Sequence, residues 1–339
     1  MNEVIEIQTP YLLLLGDIDS LVYAKTAFGL KQWCPEKCAG QWRFDGCTLD
    51  LNLPEMTPAI AAEQGIKTVV VGVAPRGGSM SQAWINSLLE ATRAGLDIAS
   101  GMHLKLNDIP ELKAASTQYG TTLHDVRVPP PDLPIATGAK RSGSRVLTVG
   151  TDCAVGKKYT ALAIHHYLQQ HHVQSDFRAT GQTGILISGG GIPIDAVVSD
   201  FVAGAAEVLS PANDNDHWDV IEGQGSLFNP AYAGVTLGLL HGSQPDAIVL
   251  CHDLARTSIA GIDGFPVPAI QEALELYLSV GKLTNSSIHC VGVSVNSSSL
   301  GGAARKQALK SLEDQLDLPC ADPLIDGVEP LVSKLLANQ

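Results

Sequence analysis

No run of apolar residues in this 339-residue chain is long enough to cross a membrane, which sets membrane-spanning roles aside. The one long apolar run near the start, Tyr11 to Leu15, is too short for a secretory core and follows acidic residues. Basic residues are also scarce: 22 Lys and Arg face 35 Asp and Glu, the formal net charge is −13, and no basic tract offsets it. A nucleic-acid surface is thereby excluded, because a phosphate backbone would be repelled overall, and small anionic ligands must meet local cations instead. Cysteines number seven, an odd and scattered set that fits a reduced compartment better than a disulfide framework. Cys34, Cys38 and Cys47 cluster but have no obvious fourth ligand for zinc, and read as structural thiols. There is no short-period repeat and no low-complexity tail. These absences predict a cytoplasmic protein acting on small molecules, with no metal site in evidence.

What is present centres on one loop. Gly150-Thr151-Asp152-Cys153-Ala154-Val155-Gly156-Lys157 follows the apolar run Arg145–Val149 and precedes a helical pattern. That is the context of a phosphate-binding loop: glycines let successive N–H groups turn inward, the helix N-terminus adds partial positive charge, and Lys157 supplies a full one. The next position, where Ser or Thr would complete a magnesium shell, is Lys158. A second ammonium suits a ligand gripped by its phosphates better than one cleaved there. His165, His166, His171 and His172 follow on the next helix without the Glu and spacing of a metalloprotease, and read as helix surface.

Around the loop the chain divides. The stretch 128–134 and the following 137–144 are rich in breakers, which predicts a domain at 1–135, a linker at 136–144 and a second domain at 145–339. In the first part Tyr11–Leu15, Thr68–Val73 and Leu123–Val128 read as strands, and Ser20–Trp33, Ser81–Ala94 and Ile109–Tyr119 as helices: a small Rossmann-like α/β domain. In the second, strands at Arg145–Val149, Asp176–Thr180, Trp218–Ile221, Ala247–Cys251 and Ile288–Val295 alternate with helices near Lys157–Gln170, Ile194–Leu209, Pro268–Val280 and Ala304–Leu316. This is the pattern of a doubly wound parallel sheet of the P-loop NTPase type.

Ligands of such sheets sit beyond the strand ends, so the residues there are the candidates for chemistry. Gln182 and Thr183, after the second strand, offer neutral donors for a substrate carbonyl. Asp195 and Asp200 fall on the next helix five residues apart, and Asp195, nearer its start, is the better candidate for a cleft. Glu222-Gly223-Gln224-Gly225 leaves the third strand with glycines clearing space, which makes Glu222 the leading acid for proton transfer or metal binding. Arg256, with Arg178 or Lys25, could pair with a substrate carboxylate.

Gly150-Thr151-Asp152 with Val155-Gly156-Lys157, and Glu222-Gly223-Gln224-Gly225, resemble the phosphate loop and Glu-Gly-Ala-Gly segment of dethiobiotin synthetases. A fuller resemblance runs through Lys25-Thr26-Ala27, Gly29-Leu30, Gly72-Val73-Ala74, Gly101-Met102-His103, Asp125-Val126-Arg127, Thr180–Gly184, Glu222–Leu227 and Leu240–Asp246. Together these are similar to the DgcN-type D-glutamate N-acetyltransferase family, long catalogued as a domain of unknown function. The resemblance implies acetyl transfer from acetyl-CoA to the amino group of D-glutamate, in D-amino-acid catabolism. On that reading Gly150 to Lys158 hold CoA phosphates, Gln182 and Thr183 stabilise the oxyanion, Glu222 or Asp195 removes the amine proton, and Arg178 or Arg256 holds a substrate carboxylate. Two other readings stay open: an ATP- and magnesium-dependent ligase or kinase acting on a carboxylate, and a nucleotide- or CoA-binding protein without catalysis. A homo-oligomer is compatible with such a chain, although no residue argues for one.

Overall fold

A computed structural model describes residues 5–73 and 80–337, so Ala74 of the Gly72-Val73-Ala74 segment lies outside the described residues. In chain order the first stretch comprises β1 (Ile5–Glu6), β2 (Tyr11–Gly16), α1 (Lys25–Trp33), β3 (Cys38–Arg43), α2 (Pro58–Glu63), β4 (Thr68–Val71), α3 (Gln82–Arg93), β5 (Asp97–Ser100), α4 (Pro110–Tyr119) and β6 (Leu123–Asp125). After it come β7 (Ser144–Gly150), α5 (Lys157–Gln170), β8 (Ser175–Arg178), α6 (Gln182–Ser188), β9 (Gly190–Gly191) and α7 (Val202–Leu209). The chain continues through β10 (Trp218–Ile221), α8 (Ala233–Ser243), β11 (Ala247–Asp253), α9 (Ile270–Gly281), β12 (His289–Asn296), α10 (Gly302–Leu316), β13 (Cys320–Ala321) and α11 (Glu329–Ala337).

The described residues form two compact units. One takes in the chain as far as Pro130 and also Gly181–Ala196; the other holds Pro131–Thr180 and Val197 onward. The sequence pattern had run the second domain unbroken from 145 to 339, whereas sixteen residues from its middle pack in the first unit. In that unit a five-stranded parallel sheet has the order β3-β2-β4-β5-β6, and β1 pairs antiparallel with β9. Its strand β2 is buried along its whole length, which is why the sequence there is a continuous apolar run instead of an alternating one. Tyr11 Oη, at the start of β2, donates to the carbonyl of Leu186 on α6 at 3.2 Å. Lys37 Nζ donates to the carbonyls of Ile187 and Ser188 at 2.6 and 3.0 Å, placing a cation where the C-terminal carbonyls of α6 are left without helical partners.

The second unit is a six-stranded parallel sheet of order β13-β12-β11-β7-β10-β8. Val146, Val220, Val249 and Val291 from four neighbouring strands pack with Ile164 and Leu168 of α5 into one core. Residues 137–145 are tied to this unit. The Glu207 carboxylate accepts the N–H groups of Thr137 and Gly138, and Arg141 donates to the carbonyls of Ser210 and Gly242. Breaker-rich composition therefore marks an anchored strap here. No helix among the described residues is long and apolar enough to cross a membrane.

Three local expectations change. The helix expected over Ile194–Leu209 is two 3₁₀ turns, Ile194–Ala196 and Ser199–Phe201, followed by α7, because the chain passes between units at Ala196. Asp195 and Asp200 are thus on separate turns. The helix expected over Ser20–Trp33 is a 3₁₀ turn, Leu21–Tyr23, followed by α1. Finally, α5 ends at Gln170, so His171 and His172 lie beyond it, while His165 is half-buried and its imidazole is pulled down to about 4 by burial.

Lys37→Ala should strip the α6 carbonyls of a charged donor worth about 1.5–3 kcal/mol. Hydrogen exchange should then rise roughly tenfold or more across 181–196, while the amides of β7 and β10 keep their protection. Equal exchange in the variant and the parent would refute an anchoring role for Lys37.

Candidate active site

The carboxyl end of β7 runs into the 150–157 loop, at the place where the strand order of the second unit reverses. Ala154 and Gly156 both have left-handed backbone, φ +55° and +112°. That alternation turns successive N–H groups to one side as an anion-binding nest and delivers the chain into α5. Lys157 opens α5 with its ammonium folded back on the loop, donating to the Asp152 carbonyl at 2.8 Å. It is buried, and burial pulls its pKa below the usual lysine value despite the nearby Cys251, Cys153, Asp152 and Glu222. A buried cation in that state gains from an arriving phosphate, whose negative charge offsets the loss of hydration. The Lys158 ammonium lies over the Tyr159 ring, 4.7 Å from its centroid.

Asp152 fixes the loop. Its carboxylate is fully buried: Oδ1 accepts the Cys153 N–H at 2.7 Å and Asn229 Nδ2 at 3.1 Å, while Oδ2 accepts Arg256 Nη1 and the Ala260 N–H, both at 2.7 Å. The Gly150 carbonyl accepts Ser226 Oγ at 2.9 Å and Tyr277 Oη at 2.8 Å. Thr151 Oγ1 meets His252 Nδ1 at 3.1 Å, and burial holds that imidazole below its ordinary pKa.

Glu222 leaves β10, the strand beside β7, and is buried. Its Oε2 accepts the Thr180 N–H at 3.0 Å, and its own carbonyl accepts Thr180 Oγ1 at 2.7 Å. Gly223 then lies so close to β7 that a Cβ there would fall 1.7 Å from the Thr148 carbonyl oxygen and 3.0 Å from Lys157 Cδ. Glycine is required at this point, because any side chain would collide with the β7 backbone and crowd the stem of Lys157.

The remaining candidates divide between the units. Arg256 is committed to Asp152, and Arg178 donates to Asp219 at 2.7 Å and pairs with Asp176 at 2.8 Å. Both guanidiniums thus already pair with carboxylates of the second unit, Arg256 through Nη1 alone. Asp176, His217 and Asp219 bring ligand atoms within 4.8 Å of one another, but Arg178 already supplies the cation between the two carboxylates. Lys25, at the first turn of α1, is exposed in the first unit. In that unit Gln182 and Asp195 come together, Nε2 to Oδ2 at 3.5 Å, and Thr183 sets its methyl beside Gly29. The thiols of Cys34, Cys38 and Cys47 donate to the carbonyls of Leu30, Cys34 and Ile18. Sequence reasoning passed over Asn229 and Tyr277, which carry no local signal, and Arg127, whose position just past a strand end was the available sign.

Burial pushes the Asp152 carboxyl up, but its hydrogen bonds from Ala260, Asn229 and Cys153 and the Arg256 charge prevail and hold it below the ordinary range. Its contribution to stability is therefore complete above the unfolded-state value of about 3.9 and is lost as pH falls through the lower folded-state value. Asp152→Asn should flatten the acid limb of stability against pH, read from urea midpoints between about pH 5 and the acid transition. An unchanged slope would exclude Asp152 as an acid-sensitive anchor.

Comparison with known proteins finds two family domains in chain order. Residues 134–332 match a domain of unknown function described as the DUF1611_C P-loop domain, and residues 36–129 match DUF1611_N, a Rossmann-like domain. A protein of Tritonibacter scottomollicae named D-glutamate N-acetyltransferase is 49% identical over 331 residues, 98% of this chain and 99% of its own. One of the same name from a Pseudoalteromonas species is 45% identical over 97% of this chain and 99% of its own. The crystal structure of a DUF1611 family protein from Anabaena variabilis aligns with a TM-score of 0.84 at 31% identity, covering 97% of this chain and 100% of that one. With both domain matches in chain order and relatives similar along nearly the whole length, the chain belongs to the DUF1611 family.

Proposed function

We propose that this protein transfers an acetyl group from acetyl-CoA to the amino group of D-glutamate, with residues 150–158 gripping the phosphates of CoA. The observation that carries this reading is the 49% and 45% identity, over nearly full length, to proteins named for that activity. The loop supports it chemically. Its Lys157 is buried, with its charged form penalised by lost hydration, and Lys158 stands where a magnesium-dependent loop would place a hydroxyl.

The acceptor nitrogen must lose a proton before it attacks, since an ammonium has no lone pair. Glu222, beside Lys157, is our assignment for the base. The freed amine forms a bond to the thioester carbonyl carbon, the nitrogen then gives up a second proton, which passes to the departing sulfur, the C–S bond breaks, and CoA leaves as the thiol. Its sulfur is the better leaving group, so the tetrahedral intermediate collapses toward amide.

Thiol release from acetyl-CoA, followed with D-glutamate, L-glutamate or no acceptor and without ATP or magnesium, tests the reading. Release with D-glutamate alone is expected. No release with any acceptor, joined by ATP hydrolysis once magnesium is added, would replace it with the ligase reading. Lys157→Ala should weaken CoA binding by roughly tenfold or more, about 1.4 kcal/mol. Glu222→Gln, which keeps an acceptor for the Thr180 N–H, should lose about 10²–10⁴-fold in turnover while still binding CoA.

A further inference from the structure

Residues 181–196 leave the unit of their sequence neighbours, and their two most polar side chains, Gln182 and Asp195, both turn to one place. Asp195 Oδ2 pairs with Arg127 Nη2 at 3.2 Å and faces Gln182 Nε2 at 3.5 Å. Arg127 stands two residues past β6, and Gln182 packs on Gly101, one residue past β5, where an added Cβ would come within 3.0 Å of Gln182 Cβ. All three therefore gather at the carboxyl edge of the first unit's parallel sheet, the edge at which open α/β sheets receive ligands.

Holding the fold together does not account for this group. The Arg127 and Asp195 side chains are 27% and 29% exposed, and an ion pair so open to water contributes about 0–1 kcal/mol. Much bonding capacity is also unspent. Among the described residues Asp195 is the one partner recorded for Arg127, whose guanidinium has five N–H donors, and Asp195 Oδ1 is recorded with none. A cation with an open edge next to a carboxylate with an open oxygen is complementary to a molecule carrying an anionic carboxylate and an ammonium together.

We infer that Arg127 and Asp195 form the recognition site for the amino-acid acceptor, with Gln182 as a positioning residue. Arg127 takes a substrate carboxylate through its free edge, and Asp195 takes the substrate ammonium on Oδ1. Gln182 acts through Asp195, steadying Oδ2 so that Oδ1 faces the incoming nitrogen. This assignment rests on the acetyltransferase reading for the identity of its ligand, D-glutamate, but the geometry belongs to the first unit alone.

Steady-state kinetics on the full-length chain separate the two. Arg127→Ala should raise the KM for D-glutamate at least tenfold and leave the KM for acetyl-CoA within twofold, and Arg127→Lys should recover part of the loss. Asp195→Asn should raise the KM for D-glutamate yet leave inhibition by glutarate, which has carboxylates and no ammonium, unchanged. Gln182→Ala should move the same KM in the same direction by less. A parent enzyme that turns over, with the D-glutamate KM of Arg127→Ala within twofold, overturns this site and leaves the proposed activity standing. Should the parent transfer no acetyl group, the proposed activity fails, and calorimetry with D-glutamate decides the site separately: binding lost in Arg127→Ala sustains it, and absence of binding to the parent overturns it. Unfolding midpoints close to the parent's, expected for an exposed pair, exclude misfolding; if Arg127→Ala does not fold, Arg127→Lys and Asp195→Asn carry the same comparison.

Discussion

A carboxylate taken wholly out of water must be compensated or it will take up a proton, and Asp152 is compensated four times over. Its partners come from three separate places in the sequence: the loop itself at Cys153, the segment after β10 at Asn229, and the segment after β11 at Arg256 and Ala260. One side chain thus draws the ends of adjacent strands onto the phosphate loop and sets the backbone that Lys157 caps. Arg256 completes this network, so a residue that seemed suited to binding substrate is part of the loop's foundation.

The electrostatics of the second unit follow from that foundation. The curl of the loop is held by the protein's own hydrogen bonds, with Lys157 resting on the Asp152 carbonyl at a cost in solvation. Little reorganisation is then needed when phosphate enters, and preorganised donors are worth more than donors that must first be gathered. Gly223 contributes by its lack of a side chain, because any larger residue would press on the β7 backbone and on the lysine stem.

Much of this was legible in the residues themselves. The bounds of α5 and β10 follow from a 3.6-residue period and a short apolar run, and the loop between strand and helix carries its own signature. Other elements were hidden for identifiable reasons. Helix α8 is apolar or glycine on nearly every side and packs closely on α7, so it shows no amphipathic stripe; β3, Cys-Ala-Gly-Gln-Trp-Arg, lacks the apolar run of its neighbours. The partners of the arginines were hidden because sequence shows a guanidinium and not the carboxylates beside it: Asp219 lies 41 residues from Arg178, and Asp152 lies 104 from Arg256. Asp195 was placed on a helix because nothing in its neighbourhood signals that the chain is about to change units.

That change of units makes the two halves inseparable as pieces of chain. A fragment ending at the apparent boundary near residue 135 would lack α6, leaving the Tyr11 hydroxyl and the Lys37 ammonium without the carbonyls they now satisfy. The complementary fragment would carry sixteen residues folded for a surface it no longer had. The polypeptide crosses from one unit to the other three times, at Pro130, Thr180 and Ala196, so recombination between relatives at the tempting linker would exchange incomplete modules. Inheritance of the whole chain as a single block is the consequence.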